Sequence, residues 1–226
     1  MNAHTHLPST GFPEYHPDEE LIAAYASGAL DEASSLVIAS HLTLCPICRG
    51  AVDFYETVGG TLIEALPQAT MTEDALAATL RRAKATATAK PALLPAGGGG
   101  RILPTPIRNY VGGDIDAATW RPLGAGIRHM PLVISGHVTA RLLSIDPGRS
   151  VFEHTHGGTE LTLVLHGSYT SQGQRYARGD IEVADETIHH RPVASTEGVC
   201  VCLVATDAPL RFDSWIGRLM QPFIGI

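Results

Sequence analysis

The chain has 226 residues, of which 44% are hydrophobic and 17% charged, enough apolar material for real cores and a length that suits two domains. Its 16 basic and 23 acidic residues give a net charge of −7, unevenly spread: residues 1–90 hold 5 basic and 11 acidic side chains, residues 91–226 hold 11 and 12. Global disorder is excluded on this composition, and the acidic N-terminal half is disfavoured as a nucleic-acid binder, since it repels phosphate and suits a basic protein surface.

The first half reads as helices. Leu21, Ile22, Tyr25 and Ala26 form an apolar stripe, Asp18, Glu19 and Glu20 occupy the first turn where the helix dipole favours them, and Gly28 closes the segment. Asp31 is the expected N-cap of a second helix carrying Leu36, Val37 and Ile38 and ending between His41 and Leu44. Pro46 suits the first turn of a third helix that continues through Phe54 and Val58. Thr72 is the expected cap of a fourth, whose last turn carries Arg81, Arg82 and Lys84. Residues 85–100 contain only Ala, Thr, Lys, Pro, Leu and Gly, ending in four consecutive glycines, and predict a flexible linker. Beyond it, strand-like runs at 139–145, 160–165, 180–183 and 199–205 alternate with Gly, Pro and Asp turns. The expected fold is therefore α + β in two domains: a small helical bundle over 1–85, a linker over 86–104, and an antiparallel β-barrel or sandwich over 105–226. No stretch approaches 18 uninterrupted apolar residues and the N-terminus lacks a basic start with an apolar run, so the sequence predicts a soluble cytoplasmic protein without membrane contact.

Four cysteines fall in two close pairs, Cys45 with Cys48 and Cys200 with Cys202. His41, Cys45 and Cys48 form His-x-x-x-Cys-x-x-Cys across the junction of the second and third helices. The i to i+4 spacing sets His41 and Cys45 on one helix face, and the Cys-Pro-Ile-Cys turn brings the second sulfur back to the first. Two thiolates and an imidazole select zinc over hard cations, and a closed structural site needs a fourth ligand. His4, His6 and His16 are the upstream candidates; His16 is the one tied to the start of a helix and is chosen. The competing reading, a free Cys-x-x-Cys redox pair, lacks the βαβ surroundings of such motifs.

The segment 16–30, from His16-Pro17-Asp18 to Ala29-Leu30, followed by Ser40-His41-Leu42-Thr43-Leu44-Cys45-Pro46-Ile47-Cys48, resembles the zinc-binding anti-sigma domain. More narrowly, it resembles the ChrR-type anti-sigma factors, which join that domain to a cupin. The resemblance implies that His16, His41, Cys45 and Cys48 bind one zinc, and the 25-residue interval from His16 to His41 fits its pattern.

In the second half, Gly148, His154-Thr155-His156, Glu160 and Gly167 fall in order. Alternation along a strand sets His154 and His156 on one face, and Glu160 returns to that face after the Gly157-Gly158 turn, giving two imidazoles and a carboxylate suited to a divalent metal. His189 and His190 are adjacent candidates for a fourth ligand, of which one can face inward. The spacing is similar to the first cupin motif, and Gly179 to His190 to the second, and that resemblance assigns His190. The expected cupin metal is zinc, with iron or manganese as alternatives. Cys200 and Cys202 share one strand face and read as small buried hydrophobes, with a redox-sensing pair as the sharper alternative. His129, His137 and His166 match no ligand spacing.

The resemblance covers nearly the whole chain, including domain order. It implies an anti-sigma factor rather than an enzyme, one that occludes an extracytoplasmic-function sigma factor and releases it on an oxidative signal, singlet oxygen or an organic peroxide, received through the cupin. The alternative is a cupin metalloenzyme of the iron dioxygenase type. Beyond the ligands the sequence offers no acid, base or substrate-binding constellation to support it.

Overall fold

Aspartates set the starts of the first two helices. In the computed structural model, which describes residues 11–86, 100–134, 138–151, 154–155, 157–207 and 211–212, α1 (Glu19–Ala26) begins after Asp18, whose carboxylate accepts the Leu21 N–H at 2.8 Å. It ends before Gly28, which takes a φ of +70° that a side chain would resist. α2 (Glu32–Leu42) begins in the same way after Asp31, which accepts the Ser34 N–H at 2.8 Å. α3 (Pro46–Glu64) opens on Pro46, and Cys45 is its N-cap, the sulfur accepting the Cys48 N–H at 3.4 Å. α4 (Ala75–Thr86) starts at Ala75 and not directly after Thr72, because the Thr72 hydroxyl donates to the Asp74 carboxylate at 2.9 Å and is spent inside the preceding turn. Most of the predicted linker, residues 87–99, lies outside the described residues. A further helix, α5 (Thr105–Val111), follows it.

The rest is antiparallel β-structure: β1 (Arg121–Gly124), β2 (Ile127–Pro131), β3 (Thr139–Ile145), β4 (His154–Thr155), β5 (Glu160–His166), β6 (Ser168–Ser171), β7 (Gln174–Ala177), β8 (Ile181–Ala184), β9 (Val193–Ala194), β10 (Cys200–Thr206) and β11 (Arg211–Phe212). A six-stranded sheet runs β1-β2-β3-β10-β5-β8, a three-stranded sheet runs β7-β6-β9, and β4 pairs with β11. The fold is thus N-terminal helices followed by an antiparallel β-domain.

Both faces of the large sheet are covered, which explains why β5 and β10 read as nearly continuous apolar runs. One face, with Ile145, Val164, Cys200, Cys202 and Val204, packs against Tyr169 and Ala194 of the small sheet. The other, with Leu142, Leu161, Leu163, Leu165, Val201 and Leu203, packs in a single core with Ile22, Ala33, Val37 and Ile38 of the helices and with Leu103 and Ile107. The thin core of the helical half is therefore completed by the cupin sheet. The chain ahead of α1 also runs along the edge strand β8: the Ile181 N–H donates to the Tyr15 carbonyl at 3.1 Å, and the Asp180 carboxylate accepts from the N–H groups of Glu14 at 2.6 Å and Tyr15 at 3.1 Å. That contact covers a sheet edge that would otherwise be open.

A shared core predicts shared unfolding. Leu203→Ala, at a fully buried position on the helix-facing side of β10, should cost about 2–5 kcal/mol, and in urea the helical and sheet signals should fall at one common midpoint. Two separated midpoints, with the helical one unmoved by the substitution, would show that the halves fold independently.

Candidate metal centre

The junction of α2 and α3 brings four side chains together. His41 comes from the last turn of α2, Cys45 from the cap of α3, Cys48 from its first turn and His16 from the segment before α1. One ligand atom from each lies within 4.8 Å of all the others. The His16 Nδ1 is 3.4 Å from the Cys45 sulfur and 3.5 Å from the Cys48 sulfur, and the two imidazoles meet edge to face at 5.7 Å.

The hydrogen bonding shows what this group can hold. His41 is fully buried; its Nδ1 donates to the Gly179 carbonyl at 2.7 Å, and its Nε2 has no hydrogen-bond partner. A protonated Nδ1 makes Nε2 the basic nitrogen, and a buried basic nitrogen without a partner is costly unless a cation takes it. Burial holds His41 below the ordinary imidazole value, with His16 pushing the same way and the Gly179 bond opposing. A neutral imidazole is the ligating form. Burial, aided by Cys45, pushes the Cys48 thiol up to about 12, so two thiolates are not tolerated side by side here without a positive ion to compensate them. Two sulfurs and two imidazole nitrogens within tetrahedral reach fit a soft or borderline divalent metal.

The second candidate set is only partly within the described residues. Glu160, at the start of β5, and His190, after β8, are both buried, and His190 is close enough to act electrostatically on the Glu160 carboxyl, whereas His189 is exposed. His154 lies on β4, paired with Phe212, with its side chain outside the described residues, as is the whole of His156. Burial pushes the Glu160 carboxyl up to about 7, with His190 opposing and Glu182 adding to the shift.

Glu182, which the sequence reading passed over, is the partner of His190. Its Oε1 lies 3.1 Å from His190 Nδ1 and accepts from the Ser171 hydroxyl at 2.6 Å, and its Oε2 accepts from the Tyr169 hydroxyl at 2.6 Å. Burial works against that carboxylate, but the hydrogen bonds from His190, Ser171 and Tyr169 outweigh it and hold it below its usual value. The available signal was a lone acid inside an apolar strand, Ile181-Glu182-Val183-Ala184.

Cys200 and Cys202 are buried with their sulfurs 3.7 Å apart, and the hydrogen bond with Cys200 together with burial holds the Cys202 thiol well above its ordinary value. Both belong to the apolar core between the two sheets, where they pack as small hydrophobes. His129 is buried on β2 and His166 is exposed at the end of β5, while His137 lies outside the described residues.

A helical unit with a sulfur–imidazole cluster, seated on a cupin barrel with its own buried histidine and carboxylate, defines the class. Residues 109–209 match the family described as the ChrR cupin-like domain. The anti-sigma-E factor ChrR of Cereibacter sphaeroides is 42% identical over 212 residues, spanning 94% of this chain and 98% of that protein. The solved complex of Rhodobacter sphaeroides SigE with the anti-sigma ChrR is similar at 39% identity and a TM-score of 0.75, covering 86% of this chain and 99% of the matched one. The chain belongs to the ChrR family of anti-sigma factors.

Two measurements check these sites. The double variant Cys45→Ala, Cys48→Ala should lose one metal ion per chain by elemental analysis after gel filtration; an unchanged metal content would contradict the cluster. In chain stripped of metal, the folded state keeps the Glu160 proton up to about 7 and the unfolded state releases it near 4.5, so the folded state binds more protons across that window. This contribution to stability is present below 4.5 and is lost as pH rises toward 7. Glu160→Gln should flatten the fall in urea midpoint between those two pH values, and a fall as steep as that of the wild-type chain would contradict it.

Proposed function

We propose that this chain binds an extracytoplasmic-function sigma factor, holds it inactive, and releases it on an oxidative signal, singlet oxygen or an organic peroxide, received through the cupin half. One observation carries the binding reading: among the described residues, apolar side chains are left uncovered on α3 and on α4. Phe54, Val58 and Leu62 follow one another at helical-turn spacing on α3, at 63%, 42% and 66% exposure, and Leu76 and Leu80 on α4 are exposed at the same spacing. Among the described side chains of α4 none is buried. An exposed face of that kind marks a protein interface. Asp53, Glu56, Glu64 and Asp74 lie beside it in sequence, which suits a partner whose DNA-binding surfaces are basic. The likeness to an anti-sigma factor over 94% of the chain supports a sigma factor as the partner of this face and favours a regulator over a cupin dioxygenase.

On this reading the cluster of His16, His41, Cys45 and Cys48 holds zinc, which ties α2, α3 and the segment before α1 into the shape that presents the face. The cupin ligands are His154, His156, Glu160 and His190 around a divalent metal, with zinc expected and iron or manganese as alternatives. Glu160 is the most exchangeable of these, because a carboxylate binds through one or two oxygens and leaves without reorienting a ring. A sigma factor acts where RNA polymerase is, so the chain belongs in the cytoplasm. The division at 86–104 separates inhibition from sensing: residues 1–85 carry all four cluster ligands and the apolar face.

Leu62→Asp should weaken binding to the cognate sigma factor by about tenfold or more, the cost of a charge in a desolvated interface centre, while leaving the metal content unchanged. Equal affinity by titration calorimetry would move the interface elsewhere. For the signal, Glu160→Ala or His190→Ala should keep a sigma-dependent reporter silent in unstressed cells and abolish its induction by a photosensitiser in light. Normal induction in both variants would remove the cupin metal from the sensing step.

A further inference from the structure

The turn from β7 into β8 grips three separate stretches of the helical layer at once. The Arg178 guanidinium donates to the carbonyls of Ile102 at 3.0 Å and Arg101 at 3.5 Å, just ahead of α5, and also to the Leu165 carbonyl of β5. The Gly179 carbonyl accepts from His41 Nδ1, in the last turn of α2, at 2.7 Å. Asp180 is buried; its Oδ1 accepts the N–H groups of Glu14 at 2.6 Å and Tyr15 at 3.1 Å, and its Oδ2 accepts that of Ala177 at 2.7 Å. The Ile181 N–H then donates to the Tyr15 carbonyl at 3.1 Å. Four consecutive residues thus hold the segment before α1, the end of α2 and the segment before α5. Asp114 completes the hold on the last of these, accepting from the N–H groups of Ile102 at 3.1 Å and Leu103 at 2.8 Å. The same turn is where the chain crosses from the small sheet, in which β7 pairs with β6, to the large one, in which β8 pairs with β5. The Gly179 N–H donates to the Val164 carbonyl at 2.8 Å and the Val164 N–H to the Asp180 carbonyl at 3.0 Å, so the crossing is tied to β5 as well. Gly179 has φ +95°, and a Cβ there would stand 2.7 Å from the Pro13 side chain, so the contact with the N-terminal segment has no slack.

We propose that residues 178–181 are the joint through which the cupin half controls the helical half's hold on its partner, with Arg178 and Asp180 as its two positioning residues. In the seating of the two sheets seen here, the joint keeps α2 and the segment before α1 in the arrangement that binds. A shift of the small sheet against the large one falls on the crossing first, because that turn belongs to both. The three grips loosen together, since all of them hang on one turn: Arg178 and Asp180 each serve several backbone groups, and buried backbone groups are costly to leave unmet. Close packing makes such a change a step between two arrangements, not a gradual yielding. A joint that is firmer in the bound state than in the free one also couples in both directions. Loosening it weakens the partner, and the partner tightens it.

The joint deepens the proposed function by naming how sigma binding is regulated, and it rests on that reading for the partner alone. Amide exchange in the free chain tests the joint with no partner present, so its failure and a failure of sigma binding are read separately. Full-length chain is followed by hydrogen–deuterium exchange and mass spectrometry, alone and with saturating cognate sigma factor, and affinity is measured by titration calorimetry. Asp180→Asn replaces one accepting oxygen by a donor that faces other N–H groups. Exchange should then speed up several-fold at residues 12–16, 38–45 and 101–103 together. The sigma factor should bind at least about fivefold more weakly, although no residue of the α3 face has changed. Arg178→Met, at an exposed position, should act in the same direction. In the wild-type chain, bound sigma factor should slow exchange at residues 177–181 several-fold. Faster exchange confined to the stretch that each altered side chain touches, at unchanged affinity, would overturn the joint, and so would wild-type exchange at 177–181 indifferent to the sigma factor. If Asp180→Asn fails to fold, Arg178→Met and the wild-type comparison decide.

Discussion

The bond from the His41 imidazole to the Gly179 carbonyl is the constraint on which the arrangement of this molecule turns. It joins a side chain in the last turn of α2 to a backbone group 138 residues away, at the edge of the cupin sheet. Made at one nitrogen, it decides the chemistry of the other: Nε2 becomes a buried base facing two sulfurs and a second imidazole. Everything nearby has to respect that position. Gly179 has to be glycine, because Pro13 occupies the space of a side chain, and the segment from Glu14 to His16 follows β8 closely enough to bring His16 within reach of both sulfurs.

From this joint follows the unequal burial of the helices. α2 is the central helix, with Ala33, Val37, Ile38 and His41 all buried between the sheet and its helical neighbours. α3 buries only its first turns, through Cys48 and Val52, and then carries its apolar residues out to where none of the described residues buries them. A helix built for its own domain core would bury Phe54, Val58 and Leu62; here the sheet already serves as that core, and the exposed far end of α3 is the face proposed to meet the sigma factor.

Local features were legible in the sequence. Asp18 and Asp31 cap helices because capping depends on residues three apart, and Cys45 with Cys48 converge because a Cys-x-x-Cys turn is self-contained. His16 could be picked over His4 and His6 because it directly precedes a helix start. The antiparallel strands at 139–145 and 160–166 were visible from β-branched and apolar runs between turns. What stayed hidden depends on distant partners. The linker composition suggested two separate cores, and nothing in it announced that α2 lies on β5 and β10 or that Leu103 and Ile107 join the same core. Phe54 and Val58 marked the course of α3 but not what covers it, since an apolar stripe looks the same whether its partner is in the chain or outside it. Glu182 was hidden by the opposite ambiguity: an acid in a strand reads as solvent-facing until the inward histidine that neutralises it is placed opposite.

The claim that the sheet orients a ligand of the helical cluster is open to a direct reading of imidazole tautomers. Long-range 1H–15N correlation spectra of the zinc-loaded full chain, assigned with His16→Ala and His41→Ala variants, distinguish a protonated from a metal-bound ring nitrogen. His41 should show a protonated Nδ1 and a metal-bound Nε2, while His16, whose Nδ1 faces both sulfurs, should show the reverse. A metal-bound Nδ1 on His41 would mean that the Gly179 carbonyl does not hold that ring, and the joint between helices and sheet would have to be drawn elsewhere.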